Sequence, residues 1–248
     1  MKIEVISVWY NEEFLSQFFL KHYWWANQIR ILVDDDTTDN TRKVIELYNN
    51  NVTWEPFVMP DGLDDSMKAS ALTAAYRESK ADWVLLVDAD EFLFERNGFL
   101  PEFLKRQKED VVAVAFYEVY RHVTETDLDF NRPILRQRTH GNYKDIWPGV
   151  GGGCMKACVA RTGQNLSWSP GCHIAFNERG TNEVNYCSEM LYGSHWRHAD
   201  PCFCVDRMVK GRWGRQSEAN DTLYHLPRLT PEEVLAECKA HENDPEVI

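Results

Sequence analysis

The sequence predicts a mixed α/β fold built on a mostly parallel sheet, and three observations carry that expectation. Through the first 120 residues, apolar runs alternate with helical patterns in the order β-α-β-α-β-α-β, which specifies parallel strands joined by right-handed crossovers. The run Trp83–Val87 (WVLLV) is apolar without interruption, as a central strand covered on both faces has to be. Acidic clusters follow two of the runs, at Asp34-Asp35-Asp36 and at Asp88-Ala89-Asp90-Glu91. Both therefore fall at strand carboxyl ends, where open α/β sheets bind their ligands, and both are expected to face one crevice.

The elements follow in order. Ile3–Trp9 (IEVISVW) reads as the first buried strand. Asn11 is placed to cap the next helix, in which Phe14, Leu15, Phe18, Phe19 and His22 recur at helical spacing. Ile29–Val33 (IRILV) is the second strand, after which Thr38 or Asp39 caps a helix with Val44, Leu47 and Tyr48 on one face. Trp54–Met59 is a third, weaker strand closed by Pro60-Asp61-Gly62. Met67, Ala71, Leu72 and Ala75 mark a helix running to Ser79. Beyond Trp83–Val87, Phe99–Lys108 reads as helix and Val111–Tyr117 as another buried strand.

From Arg121 the texture changes. Gly149–Gly153 (GVGGG), scattered Pro, Trp and His, and weak periodicity predict loops, short strands and a helix near Cys204–Lys210. Thr230-Pro231-Glu232-Glu233 is a capping box with Pro at the first helical position, opening a terminal helix that reaches His241. The expected organisation is a single domain over 1–248, with halves at 1–120 and 121–248.

Composition narrows the function. A duplex-binding surface needs a cationic face, whereas the chain carries a net charge of −12 and no Lys/Arg block, which argues against nucleic acid as the main partner. The longest apolar runs, such as Val111–Tyr117, are far shorter than the roughly 20 residues of a spanning helix. The opening MKIEVISVWYNEE meets acidic and polar residues too early for a secretory signal, so a soluble chain is expected. Seven cysteines, an odd number in a chain too long to need staples, point to reduced thiols and a cytoplasmic setting. Six lie between Cys154 and Cys204, but their gaps are irregular and no C-x₂-C pair occurs, so scattered core thiols are preferred over structural zinc.

Asp88 and Asp90 are the sharpest chemical signal. On the turn leaving the strand, both carboxylates can converge on one cation. Hard divalent ions such as Mg²⁺ or Mn²⁺ take such oxygens and keep positions open for phosphate. A metal there would bridge a diphosphate and offset charge on it as a leaving group.

Three stretches, Val8-Trp9-Tyr10-Asn11-Glu12-Glu13, Val33-Asp34-Asp35-Asp36-Thr37-Thr38-Asp39-Asn40-Thr41 and Val87-Asp88-Ala89-Asp90-Glu91-Phe92, occur in that order within the first 95 residues. Together they resemble a family 2-type glycosyltransferase of the GT-A fold, with its Rossmann-like, mostly parallel sheet flanked by helices and a smaller irregular acceptor-side region. The departure is Asp36-Thr37 where Gly-Ser is usual. The resemblance implies a nucleotide-sugar-binding half at 1–120 and an acceptor-side half beyond. Val8, Trp9, Tyr10 and Asn11 would line the base pocket, with Tyr10 or Trp9 against the ring. Asp34 or Asp35 would bind base or ribose, and Lys68 the base or phosphate. Asp88, followed by Ala89, would sit by the ribose or a metal-bound water, with Asp90 the direct metal ligand.

The second half resembles the family more loosely. Ser169-Pro170-Gly171-Cys172-His173 is similar to a G-x-H element whose histidine completes the metal sphere. Ser194-His195-Trp196-Arg197, followed by Val209-Lys210-Gly211, is similar to a later element, so His173 and His195 are both candidate ligands. Arg197 and Lys210 are candidates for neutralising diphosphate. An inverting transfer needs a carboxylate to take the acceptor proton; Asp145, before Trp147-Pro148-Gly149, and Glu118 are the rivals. Trp147 is placed to stack on a sugar ring.

The implied activity is a metal-dependent hexosyl- or deoxyhexosyltransferase, moving sugar from a nucleotide diphosphate donor (UDP by default) to a glycan or glycoconjugate hydroxyl. Two alternatives stay open. A nucleotidyltransferase usually carries a Gly-rich basic loop after the first strand, unlike Trp9-Tyr10-Asn11-Glu12. A non-catalytic nucleotide- or sugar-binding module would have no need of both Asp88 and Asp90.

Overall fold

A computed structural model of the chain describes residues 1–48, 51–59, 64–142, 155–207 and 230–247. In chain order the strands are β1 (Ile3–Trp9), β2 (Gln28–Asp34), β3 (Val52–Phe57), β4 (Trp83–Leu86), β5 (Glu91–Phe94), β6 (Val111–Tyr120), β7 (Gly141–Asn142), β8 (Met155–Arg161), β9 (Ser167–Trp168), β10 (Ala175–Phe176) and β11 (Leu191–His198). The helices are α1 (Glu13–His22), α2 (Thr41–Glu46), α3 (Asp65–Glu78), α4 (Leu100–Arg106), α5 (Pro201–Val205) and α6 (Pro231–Ala240).

The main sheet runs β3-β2-β1-β4-β8-β6-β11-β5, with β7 beside β6. Strands β3, β2, β1 and β4 are mutually parallel, as alternation of strand and helix requires. All of β1 and β4 is buried, as their unbroken apolar runs demand. At the edge, β3 is mostly open and accommodates Pro56, which has no N–H to give a further neighbour. Helix α1 covers one face with Leu15, Phe18 and Phe19, and Trp9 packs edge-on against Phe19 with ring centres 5.2 Å apart. Helix α3 begins where Asp64 accepts from the Ser66 and Met67 N–H groups at 2.8 and 3.1 Å, and the capping box at Thr230 and Glu233 opens α6.

The second half departs from the expected loops and short strands. Strand β8 runs antiparallel between β4 and β6, and β11, also long, lies parallel to β6 and antiparallel to β5. The alternating polar residues of β11 hid it: Ser194, His195 and His198 are tolerated inside a sheet because each finds a partner there. Gly193 of β11 is required where it stands, since a Cβ would overlap the Phe116 ring of β6. Opposed strand directions bring the carboxyl ends of β1, β2, β4, β6 and β11 and the amino ends of β5 and β8 to one edge.

The capping expected of Asn11 is corrected. Asn11 sits at φ 51°, in the left-handed region that Asn tolerates, and makes no cap to α1. Its Oδ1 instead accepts from the Thr38 and Asp39 N–H groups at 2.8 and 3.3 Å. In return, Thr41 Oγ1 accepts from Glu12 N–H at 2.8 Å and Asp39 Oδ2 from Glu13 N–H at 2.9 Å. The residue at the cap position of α2 is Asn40, not Thr38 or Asp39 as expected, although Asp39 Oδ1 accepts from the first helical N–H, that of Thr41, at 2.9 Å. Because β1 and β2 are parallel neighbours, the loops that leave them bind each other.

Candidate active site

The loops after β1 and β2 form one wall. Trp9, expected against a nucleotide base, is instead fully buried in the core, with Nε1 donating to Ser7 Oγ at 2.8 Å. As the last residue of a strand its side chain falls on the α1 face, so Tyr10, half-buried on the loop, is the remaining aromatic there. Val8 is buried within β1. Asp34 is buried, and its Oδ1 accepts from Asp36 N–H at 3.0 Å, while Asp35 is exposed. Arg42, which sequence reasoning missed, closes this loop by donating to the carbonyls of Thr37, Asp34 and Asp35 at 2.9, 3.0 and 3.2 Å.

The turn between β4 and β5 carries Asp88, Ala89 and Asp90, with Glu91 opening β5, and protein cations converge on it. Lys68 of α3 makes a short ion pair with Asp88 Oδ1, and Lys156, from the start of β8, lies 3.3 Å from Asp88 Oδ2 and closer still to Glu91. Burial opposes ionisation of Asp88, but Lys68 and Lys156 outweigh it and hold the carboxyl well below its usual range. Glu91 Oε2 accepts from Asp88 N–H at 3.0 Å, which tightens the turn. Burial raises the Glu91 carboxyl despite Lys156 beside it.

Asp90 is 2% exposed. His195 Nε2 lies 3.0 Å from Asp90 Oδ2, and the Arg207 guanidinium makes a shorter contact with the same oxygen. Against the cost of burial, Arg207 and His195 keep Asp90 ionised. Arg207 also reaches Glu12 Oε1 through NH2 at 2.8 Å, and Glu12 Oε2 has no hydrogen-bond partner among the described residues. Burial therefore lifts the Glu12 carboxyl to about 7, with Arg207 pulling the other way.

Glu118 of β6 stands opposite His195 of β11 in register. Its Oε1 is 2.6 Å from His195 Nδ1 and 3.6 Å from Arg197, and its Oε2 is 3.4 Å from His198 Nδ1. Burial alone would lower the His195 pKa, but Glu118 and Asp90 on either side raise it to about 9. The imidazolium thus bridges two ionised carboxylates and fixes Asp90 against the sheet.

His173 lies close enough to this cluster for the charges of Lys156, Asp88 and His195 to act on it. Its Nδ1 pairs with the Met155 carbonyl at 3.1 Å, and burial with the Lys156 charge lowers its pKa. The chain before it is held by Gly171 at φ 70° and Cys172 at φ 57°; a Cβ on Gly171 would press within 2.8 Å of the His173 ring. Arg197, expected on diphosphate, lies instead against Glu118. Asp145, Trp147 and Lys210 fall outside the described residues. Besides Arg42, sequence reasoning passed over Lys156, Arg207 and Glu12. Only Glu12 carried a signal, as part of the Tyr10-Asn11-Glu12 stretch, whereas Lys156 needed the reversed direction of β8 to be known.

The donor chemistry suits a divalent ion. Asp88 and Asp90 are ionised hard-oxygen donors on one turn, and Asp90 Oδ2 already holds a cation, the Arg207 guanidinium. Among the described residues no group of three His, Cys, Asp or Glu is arranged as a metal cage, so further ligands would come from a bound phosphate or water.

A mostly parallel sheet with an acidic turn at the carboxyl edge, facing paired loops after its first two strands, is a GT-A-type arrangement. The chain belongs to glycosyl transferase family 2, whose model matches residues 6–161. No curated protein matches it. Among solved structures, S. aureus TarS 1-349 aligns over 96% of this chain and 71% of that one, at 15% identity and a TM-score of 0.42. Glucosyl-3-phosphoglycerate synthase from Mycobacterium tuberculosis, solved with Mn2+ and UDP-glucose, aligns over 47% of this chain and 43% of that one, at 17% identity and a TM-score of 0.33. HddC from Yersinia pseudotuberculosis aligns over 79% and 94%, at 11% identity and a TM-score of 0.39. No described helix is long and apolar enough to cross a membrane.

Proposed function

We propose that the chain transfers a hexosyl or deoxyhexosyl group, with inversion, from a nucleotide diphosphate donor to a hydroxyl of a glycan or glycoconjugate. The donor is a UDP-sugar, and the setting is cytoplasmic with reduced thiols. The observation that carries this reading is the meeting of Asp88 and Asp90 with Lys68, Lys156, Arg207 and His195 at the sheet edge where the Asn11 and Asp34–Asp39 loops end.

Each residue has work to do there. Tyr10 and Asn11 shape the base end, with Asp34 and Asp35 toward the ribose. Asp88 and Asp90 hold Mn²⁺ or Mg²⁺, which when bound supplies positive charge to the leaving diphosphate. Lys68 and Lys156 keep Asp88 ionised and oriented. His195 orients Asp90, and Glu118 orients His195; a carboxylate with no exposed surface and three basic neighbours is ill suited to reach an acceptor hydroxyl. The acceptor proton is therefore assigned to Asp145.

A thermal-shift screen of UDP, GDP, CDP and ADP with and without Mn²⁺ tests donor class, and analysis of the products with the sugar donor tests the reaction. Release of nucleoside diphosphate and free or transferred sugar is expected. Release of pyrophosphate from a nucleoside triphosphate would make the chain a nucleotidyltransferase, and binding without turnover would make it a recognition module.

A further inference from the structure

Arg207 and His195 both place positive charge on Asp90, and Arg207, to which the reading above gives no step of its own, is costly to place there. The guanidinium spans two carboxylates from distant parts of the chain, Glu12 and Asp90, both buried. Glu12 Oε2 is buried and unpartnered among the described residues, and Arg207 is the larger of the two positive charges, with Lys68, that offset this carboxylate. Arg207 holds the same oxygen, Asp90 Oδ2, that a divalent ion would take as its ligand. His195 Nε2 already shares that oxygen at 3.0 Å, so a divalent ion would be a third positive group there, and repulsion in a poorly solvated site favours release of Arg207, because His195 is held from its other side by Glu118.

We propose that Arg207 is a placeholder cation: it holds Asp90 until a divalent ion takes that oxygen, and then binds the donor diphosphate. This rests on the assignment of Asp88 and Asp90 as the metal-binding pair. Guanidinium suits both positions, since its planar fork matches carboxylate and phosphate alike. The exchange keeps the two buried acids compensated before the donor arrives. Ion and diphosphate then bind cooperatively, because each removes an obstacle to the other: the ion frees Arg207 for phosphate, and the phosphate draws Arg207 off Asp90.

The test is titration of the full chain with Mn²⁺ alone, followed by free-ion paramagnetic resonance, and then with Mn²⁺ and UDP by calorimetry. Wild type is compared with Arg207→Gln, and with Arg207→Lys, which keeps a charge but cannot span both acids, in case the Gln variant fails to fold. Without nucleotide, Arg207→Gln should bind Mn²⁺ about tenfold tighter than wild type, with Arg207→Lys between them. UDP should bind the Gln variant about tenfold more weakly, and the factor by which UDP raises Mn²⁺ affinity should shrink. Mn²⁺ affinity in both variants equal to or below wild type, while Asp90→Asn still abolishes it, overturns the exchange and leaves the metal site standing. Mn²⁺ binding that survives Asp90→Asn in every background overturns the metal-site assignment itself.

Discussion

Replacing Glu118 by Gln separates holding a histidine from taking a proton. The change keeps the shape and one acceptor but removes the charge. In the native protein that charge faces His195 Nδ1 at 2.6 Å, Arg197 at 3.6 Å and His198 at 3.4 Å, with the carboxylate wholly buried. Breaking a buried ion pair by removing one partner costs about 3–5 kcal/mol, and the retained amide hydrogen bond to His195 returns about 1 kcal/mol of it. The expected loss is therefore about 2–4 kcal/mol, equivalent to roughly 4–16 °C in Tm for a chain of this size. Urea denaturation at neutral pH measures it. As a positioning residue, Glu118→Gln should weaken Mn²⁺-dependent UDP binding along with stability and lower turnover by no more than about tenfold. A variant of native stability and native UDP affinity whose turnover falls about 10²–10⁴-fold would refute the reasoning and make Glu118 the base.

Three further outcomes are expected. Lys68→Met leaves Asp88 with Lys156 alone, and calorimetry should show UDP binding with Mn²⁺ weakened about tenfold; unchanged affinity removes Lys68 from the site. Asp39→Ala strips one N–H partner from α1 and one from α2, so it should cost about 1–3 kcal/mol in urea denaturation, well above an exposed-loop substitution. His22, whose Nε2 donates to the Leu93 carbonyl at 2.8 Å, is lowered by burial to about 4, below its unfolded value near 6.5. Its contribution is thus complete above pH 6.5 and lost as pH falls toward 4, by about 3 kcal/mol. His22→Gln should flatten that part of the stability–pH curve, and an identical slope in the variant would refute the assignment.

Local chemistry in the chain was sufficient for much of the architecture. The unbroken apolar runs of β1 and β4 require cover on two faces, and the apolar spacing of α1 and α3 requires one covered face; both are properties of neighbouring residues, legible without a partner. The capping box at Thr230 and Glu233 is likewise complete within four residues. The strand ends then placed Asp34, Asp88 and Asp90 at one edge, because parallel strands share a direction. What tertiary structure decided was every contact whose partners lie far apart in the chain. Insertion of β8 between β4 and β6 turned Lys156 toward Asp88, and α5 carried Arg207 onto Glu12 and Asp90, over sequence separations of 68, 195 and 117 residues. The same holds for Asn11, which bonds the neighbouring loop rather than its own helix, and for Trp9, drawn into the core by Phe19. Motifs record which side chains are present, but an ion pair forms where the folded backbone brings opposite charges out of water together, and no local pattern encodes that meeting.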